Sequence, residues 1–307
     1  MQPMHVSEMS PKRPVPQHLV PPRGSVSPQA CADGACGSDA GANPSDESNA
    51  YPFVYAIGNI EIRFPSLGVE KEFAQATGRT DTAGLTDQQA IQSVLMKPQN
   101  RYLIRQVCWV FTIEGLDTYL LQPREAADYD VLLEGVRTNP SREDVDVVVG
   151  VRGPIAPPSM CNGLTVPIVG FSQIYSFDRN SFFNAVPVPE KQDEKRFRSS
   201  IGEVFNRILK VADNAGASDE HRALNYLATR YPAVYNLGAE RFGAGYSLAS
   251  IETAVSRLSG TRRLVNVNIV FNHRETQVPD RYSVRVDVTE EFPFLSSTLT
   301  PSPYIER

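Results

Sequence analysis

Residues 265–288 read VNVNIVFNHRETQVPDRYSVRVDV, and their alternation decides the fold class. Val265, Val267, Ile269 and Phe271 fall at every second position, and after a polar turn Tyr282, Val284, Val286 and Val288 do the same. Side chains two apart share one face of a strand, so the pattern predicts a half-buried antiparallel hairpin. Upstream the period changes. Ile201, Val204, Phe205, Ile208 and Ala212 follow helical spacing, and DNAG at 213–216 supplies a stop.

Working toward the N-terminus, YPFVYAIGNIEIRF (51–64) predicts an opening strand, and GVEKEFAQATG (68–78) and DQQAIQSVLMK (87–97) predict short helices. RQVCWVFTIEGLDTYLLQP (105–123) reads as a strand pair turning near Glu114 and Gly115. DVDVVVGVRG (144–153) and LTVPIVGF (164–171) are strand candidates on either side of the loop GPIAPPSMCNG (153–163). Strands in hairpins around a central helical segment predict an α+β fold in a single domain, 51–307. Residues 1–50 hold eight of the 24 prolines and no Phe, Tyr, Trp or Ile. Such a segment buries too little apolar surface to offset its ordering entropy, which predicts a disordered tail.

The 307 residues are 41% hydrophobic and 21% charged, with a formal net charge of -5. That balance, without a Lys/Arg block, argues against a nucleic-acid partner. No apolar run is long enough to span a bilayer and no signal-type segment opens the chain, so the expectation is a cytoplasmic protein with no membrane association. In a reducing compartment Cys31, Cys36, Cys108 and Cys161 are expected as thiols.

The stretch ADNAGASDEHRALNYLATRYP (212–232) concentrates ionisable groups at a helix start. Ser218 or Asp219 suits the N-cap, and acidic residues in the first turn suit the positive end of the helix dipole. At about 100° per residue Leu224, Leu227, Ala228 and Tyr231 form the apolar face; Glu220 falls on it, His221 and Asn225 border it, and Asp219 and Arg222 point away. The expectation is a capped helix with Glu220 as an inward polar anchor. The alternative is a binding site formed by Asp219, Glu220, His221, Arg222 and Asn225.

Only His221 and His273 lie outside the tail, so any histidine chemistry must use one of them. His273 reads as a solvated residue of a hairpin loop. No G-x-S-x-G, P-loop or G-x-G-x-x-G pattern occurs. Cys161 sits at an Asn162-Gly163 turn, where an exposed sulfur beside His221 would make a nucleophile and a base. Cys108, inside an apolar strand, reads as core. Cys108, Cys161 and His221 together would supply three zinc ligands, although no C-x-x-C spacing supports them.

YAIGNIEIRFPSLGVEKEFAQATGR, RYLIRQVCWVFTIEGLDTYLLQPR, VVVGVRGPIAPPSMCNGLTVPIVGFSQIYSFD, ADNAGASDEHRALNYLATRYP and DVTEEFPFL resemble, in that order, the PatG C-terminal domain family. This is the region of unknown function at the C-terminus of the PatA and PatG proteases of cyanobactin biosynthesis, here without a protease domain. The resemblance spans about 51–307 and implies no catalytic residues. It implies an accessory, non-catalytic protein in the biosynthesis of a ribosomally made, modified peptide, with the precursor peptide or the modifying enzymes as partners. Neither a cofactor nor a metal is required by that reading, and self-association is left open. The alternative is an enzyme or zinc protein acting on the precursor, centred on His221 and Cys161.

Overall fold

In the computed structural model, residues 53–77, 87–137, 141–188, 193–211, 213–256 and 260–302 are described. The expected tail over 1–50, with Cys31 and Cys36, lies outside them.

The first sheet closes on itself. Strands β1 (Phe53–Arg63), β2 (Cys108–Ile113), β3 (Leu116–Pro123), β4 (Asp144–Ile155) and β5 (Pro167–Asp178) run in the order β1-β2-β3-β5-β4 and return to β1. The pairing is antiparallel except between β3 and β5. One parallel pair in this closed order gives the barrel the arrangement of an OB-type fold. β1 changes partner midway: Phe53 to Gly58 pair with β4, and Asn59 to Arg63 pair with β2. Gly58 stands at the change, where a Cβ would lie 2.1 Å from the Thr112 carbonyl oxygen, so no larger residue fits.

Helices α1 (Leu67–Thr77) and α2 (Asp87–Leu95), a 3₁₀ segment Pro98–Arg105 and α3 (Asp128–Gly135) pack around this barrel. Their apolar side chains, among them Phe73, Leu95, Leu103 and Leu132, join Val54, Ile60, Trp109, Phe111 and Val148 in one core.

A second core lies on the other side of β1 and β4. Tyr55, Ile57, Val145, Val147 and Val149 face a helical layer made of α4 (Arg179–Ala185), α5 (Glu194–Leu209), α6 (Asp219–Arg230) and α7 (Ala233–Gly243). With Val54, Ala56 and Val148 buried on the opposite face, β1 and β4 have two dry faces, which explains their nearly unbroken apolar runs. α5 is capped by Asp193, whose side chain accepts from the Arg196 amide at 2.9 Å, and it buries Phe197, Ile201, Val204, Phe205 and Ile208. The far side of the helical layer is covered by a four-stranded antiparallel meander, β6 (Tyr246–Val255), β7 (Leu264–His273), β8 (Pro279–Asp287) and β9 (Phe294–Pro301).

The structure is α+β, as the sequence predicts. The expected hairpin is β7–β8, with Val265 opposite Val286 and Val267 opposite Val284. The expectation of a half-buried strand fails for β7, which is buried from Leu264 to Phe271, Asn266 and Asn268 included. It is a central strand, and long neighbours shield its polar side: Arg285 Nε donates to Asn266 Oδ1 at 2.7 Å. Among the described residues no helix is long and apolar enough to cross a membrane.

Candidate functional site

The ionisable cluster at 218–225 is a clasp between the two sheets. Ser218 caps α6, its hydroxyl accepting from the His221 amide at 3.2 Å. The helix packs on β1 with one side and on β6 and β7 with the other, so polar residues pointing toward either sheet become buried.

Arg222 corrects the expectation that it points away. Its exposure is 0%, and its guanidinium donates to the carbonyls of Val288 at 2.8 Å, Glu290, and Glu291 at 3.3 Å, in the connection between β8 and β9. It stands over the Phe53 ring at 5.2 Å and lies 3.5 Å from Asp219, which also pairs with Arg263. Asp219 therefore faces these cations instead of solvent. Burial pushes the Arg222 guanidinium down to about 10, against the pull of Asp219, so it stays charged at neutral pH. The Glu291 side chain extends the clasp to the barrel, accepting from Ser172 at 2.5 Å and from Arg124 at 3.3 Å.

Asn225, expected at the border, is fully buried. It exchanges two hydrogen bonds with Asn214, at 2.7 and 3.1 Å, and donates to the Tyr55 carbonyl at 2.8 Å. The same strand position receives the loop before α6: the Tyr55 amide donates to the Gly216 carbonyl at 2.9 Å. Gly216 has φ +71, and a Cβ there would lie 2.4 Å from the Tyr55 oxygen, so the close approach depends on glycine. Glu220 and His221 are half-buried, and the anchoring assigned to Glu220 belongs to Arg222 and Asn225. Helical-wheel reasoning failed because it allowed α6 one buried face, whereas two sheets bury both sides.

The thiol and zinc assignments are also corrected. Cys108, at the start of β2, and Cys161, in the connection between β4 and β5, form a disulfide with their Cα atoms 5.8 Å apart. Bridged sulfurs are neither thiolate nucleophiles nor thiolate ligands. Among the described residues no group of three His, Cys, Asp or Glu side chains is placed to hold a metal, so Cys108, Cys161 and His221 do not form a ligand set. The turn itself is as expected: Asn162 and Gly163 have positive φ, and Cys161 joins them at φ 47.

A cleft that sequence reasoning missed opens where β1 changes partner. It measures about 240 Å³, has Ile57 to Asn59 as floor and is walled by Ile113 and Glu114, Asp144, Leu209 and Asn214. An adjoining hollow of about 510 Å³ shares Ile113, Glu114, Leu209 and Lys210 and adds Leu116, whose side chain at the β2–β3 turn is 73% exposed. Arg142, Arg179 and Lys210 bring positive charge to the cleft against Glu114 and Asp144. Arg179 is engaged by Glu143 at 3.3 Å and Asn206 at 3.3 Å, and Asp144 by Arg137 at 3.3 Å. On the far side of Asn59, Asp146 lines a further hollow. It is 5% exposed, accepts from the Ile60 amide at 2.8 Å and the Ser176 hydroxyl at 2.6 Å, and burial pushes its carboxyl up to about 6. By contrast, the β2–β3 surface that binds ligands in OB-type folds is covered here, with Cys108, Val110 and Leu120 beneath Ala156, Met160 and Leu164.

Residues 191–301, from α5 through β9, match the PatG C-terminal family model. The resemblance to the PatG C-terminal family is borne out. A solved structure described as the PatG domain of unknown function is similar over 82% of this chain and 99% of its own, with a TM-score of 0.67 and 21% identity. The barrel is thus part of the shared PatG fold, although the family model matches only α5 to α7 and the meander. No curated protein matches the chain.

Proposed function

We propose that this chain is a non-catalytic accessory protein of a cyanobactin-like pathway and that it binds the precursor peptide. The observation that carries this reading is the PatG fold, complete over 99% of the solved PatG domain. The cleft at the β1 partner change supports the reading, because it combines a backbone floor, an apolar wall and charges of both signs. The ionisable cluster on α6 holds the sheets together, which leaves the cleft as the stronger binding candidate.

Calorimetric titration with a cyanobactin-type precursor peptide tests the proposal. Saturable binding at micromolar concentration is the expected result. No heat, together with an unchanged rate of precursor processing when the protein is added to the pathway enzymes, would reject it.

A further inference from the structure

We infer that the cleft is a receptor for the C-terminal residue of a peptide, bound through the main chain of Ile57. Along β1 the odd-numbered residues turn their backbone groups away from β4, as the Tyr55 amide bonded to Gly216 shows. Tyr55 is occupied by Gly216 and Asn225, and Asn59 is paired with Thr112 of β2. Ile57 lies between them with its N–H and C=O facing the cleft, past the point where β2 turns away at Glu114 and Gly115. One rung of a sheet edge is left open, and both neighbouring rungs are filled.

A continuous strand cannot run through a gap one rung long, but a chain end can enter it. The cleft itself is small, about 240 Å³, and the adjoining hollow of about 510 Å³ leaves room for the residues that precede the chain end. The charges point to the carboxylate end. Arg142 and Lys210 line the cleft and have no ion-pair partner among the described residues, whereas Arg179 is already engaged. The terminal residue bonds Ile57 as Gly216 bonds Tyr55, its side chain rests on Ile113 and Leu209, and its carboxylate meets Arg142 and Lys210. Glu114, which also lines the cleft, repels that carboxylate and so biases which way the end points, while Asp144 is engaged by Arg137.

This inference rests on the peptide-binding reading, and its test separates the two. The full chain, labelled with nitrogen-15, is titrated with the tetrapeptide Ac-Gly-Ser-Val-Leu-OH and with its C-terminal amide. Recognition by main chain and carboxylate is indifferent to the rest of the sequence, so the free acid is expected to bind at about 1 mM or better and to shift the Ile57 amide signal. The amide is expected to bind about tenfold more weakly. In the double variant Arg142→Met/Lys210→Met, which alters only exposed side chains, the preference for the acid should vanish while the unfolding midpoint holds. Equal binding of acid and amide, an unmoved Ile57 signal, or no binding of the acid at about 5 mM would each overturn the inference. Tetrapeptide binding without precursor binding would sink the pathway reading alone, and precursor binding with Ile57 unmoved would sink this site alone.

Discussion

Arg222 ties α6 to the β8–β9 connection through three backbone carbonyls. A guanidinium at 0% exposure is tolerated because it has three carbonyl acceptors and a nearby carboxylate, and removing it strands all of them. Arg222→Met is therefore expected to cost about 3 kcal/mol in urea unfolding, whereas Glu220→Gln should cost less than about 0.5 kcal/mol. Equal effects would remove the distinction between buried clasp and half-buried neighbour. Asp146 gives a second test. Its folded carboxyl is raised to about 6 from 3.8, so the native state holds the proton more tightly than the unfolded chain. The contribution to stability is full below about pH 4, declines as pH rises to about 6 and is lost above, with a scale of about 3 kcal/mol. Asp146→Asn should flatten the stability profile between those limits relative to the unchanged protein; parallel profiles would show that the carboxyl does not titrate there. Neither role was legible in the sequence. A wheel drawn for α6 cannot know that β7 lies beyond it, and an aspartate inside DVDVVVG looks like the polar side of an alternating strand.

At the scale of elements the sequence was far more readable. Every strand it predicted is present, because alternation and apolar runs report burial directly, and the 3.6-residue spacing located α5 and α6. What it missed was partnership. Nothing local in β1 announces that Gly58 divides a β4 partner from a β2 partner, since that depends on where β2 turns. β6 and β9 carry little signal in the sequence, because both are edge strands of mixed exposure and their side chains show little periodicity. The disulfide was missed for a similar reason, as 53 residues separate its cysteines and compartment was used in place of geometry. The bridge fixes the long β4–β5 connection against β2. Replacing Cys108 and Cys161 together with serine should lower stability by about 2–4 kcal/mol, read from denaturant midpoints, and reduction should lower the unchanged protein similarly. A variant as stable as the parent would show that packing alone holds the loop.

On the scale of the whole molecule, two sheets share one core through the helical layer, the first sheet holds a second core on its other face, and α6 touches both sheets. Arg222 and Glu291 bind the meander to the helix and the barrel, and Asn225 binds the helix to β1, so loss of the clasp should loosen both sheets together. The sequence indicated the class of this architecture but not the closure of the first sheet, which rests on the parallel pairing of β3 with β5, strands far apart in the chain. Closure and disulfide also act on how the protein would respond to force. The bridge ties Cys108 to Cys161 across β2, β3, α3 and β4, a span of 53 residues that cannot lengthen when the ends are pulled. At about 3.5 Å per extended residue, roughly 180 Å of contour is locked away. A single molecule drawn out between its termini should fall short of full extension by that length and recover it when a reductant reaches the bridge, so the chain carries its own extension stop.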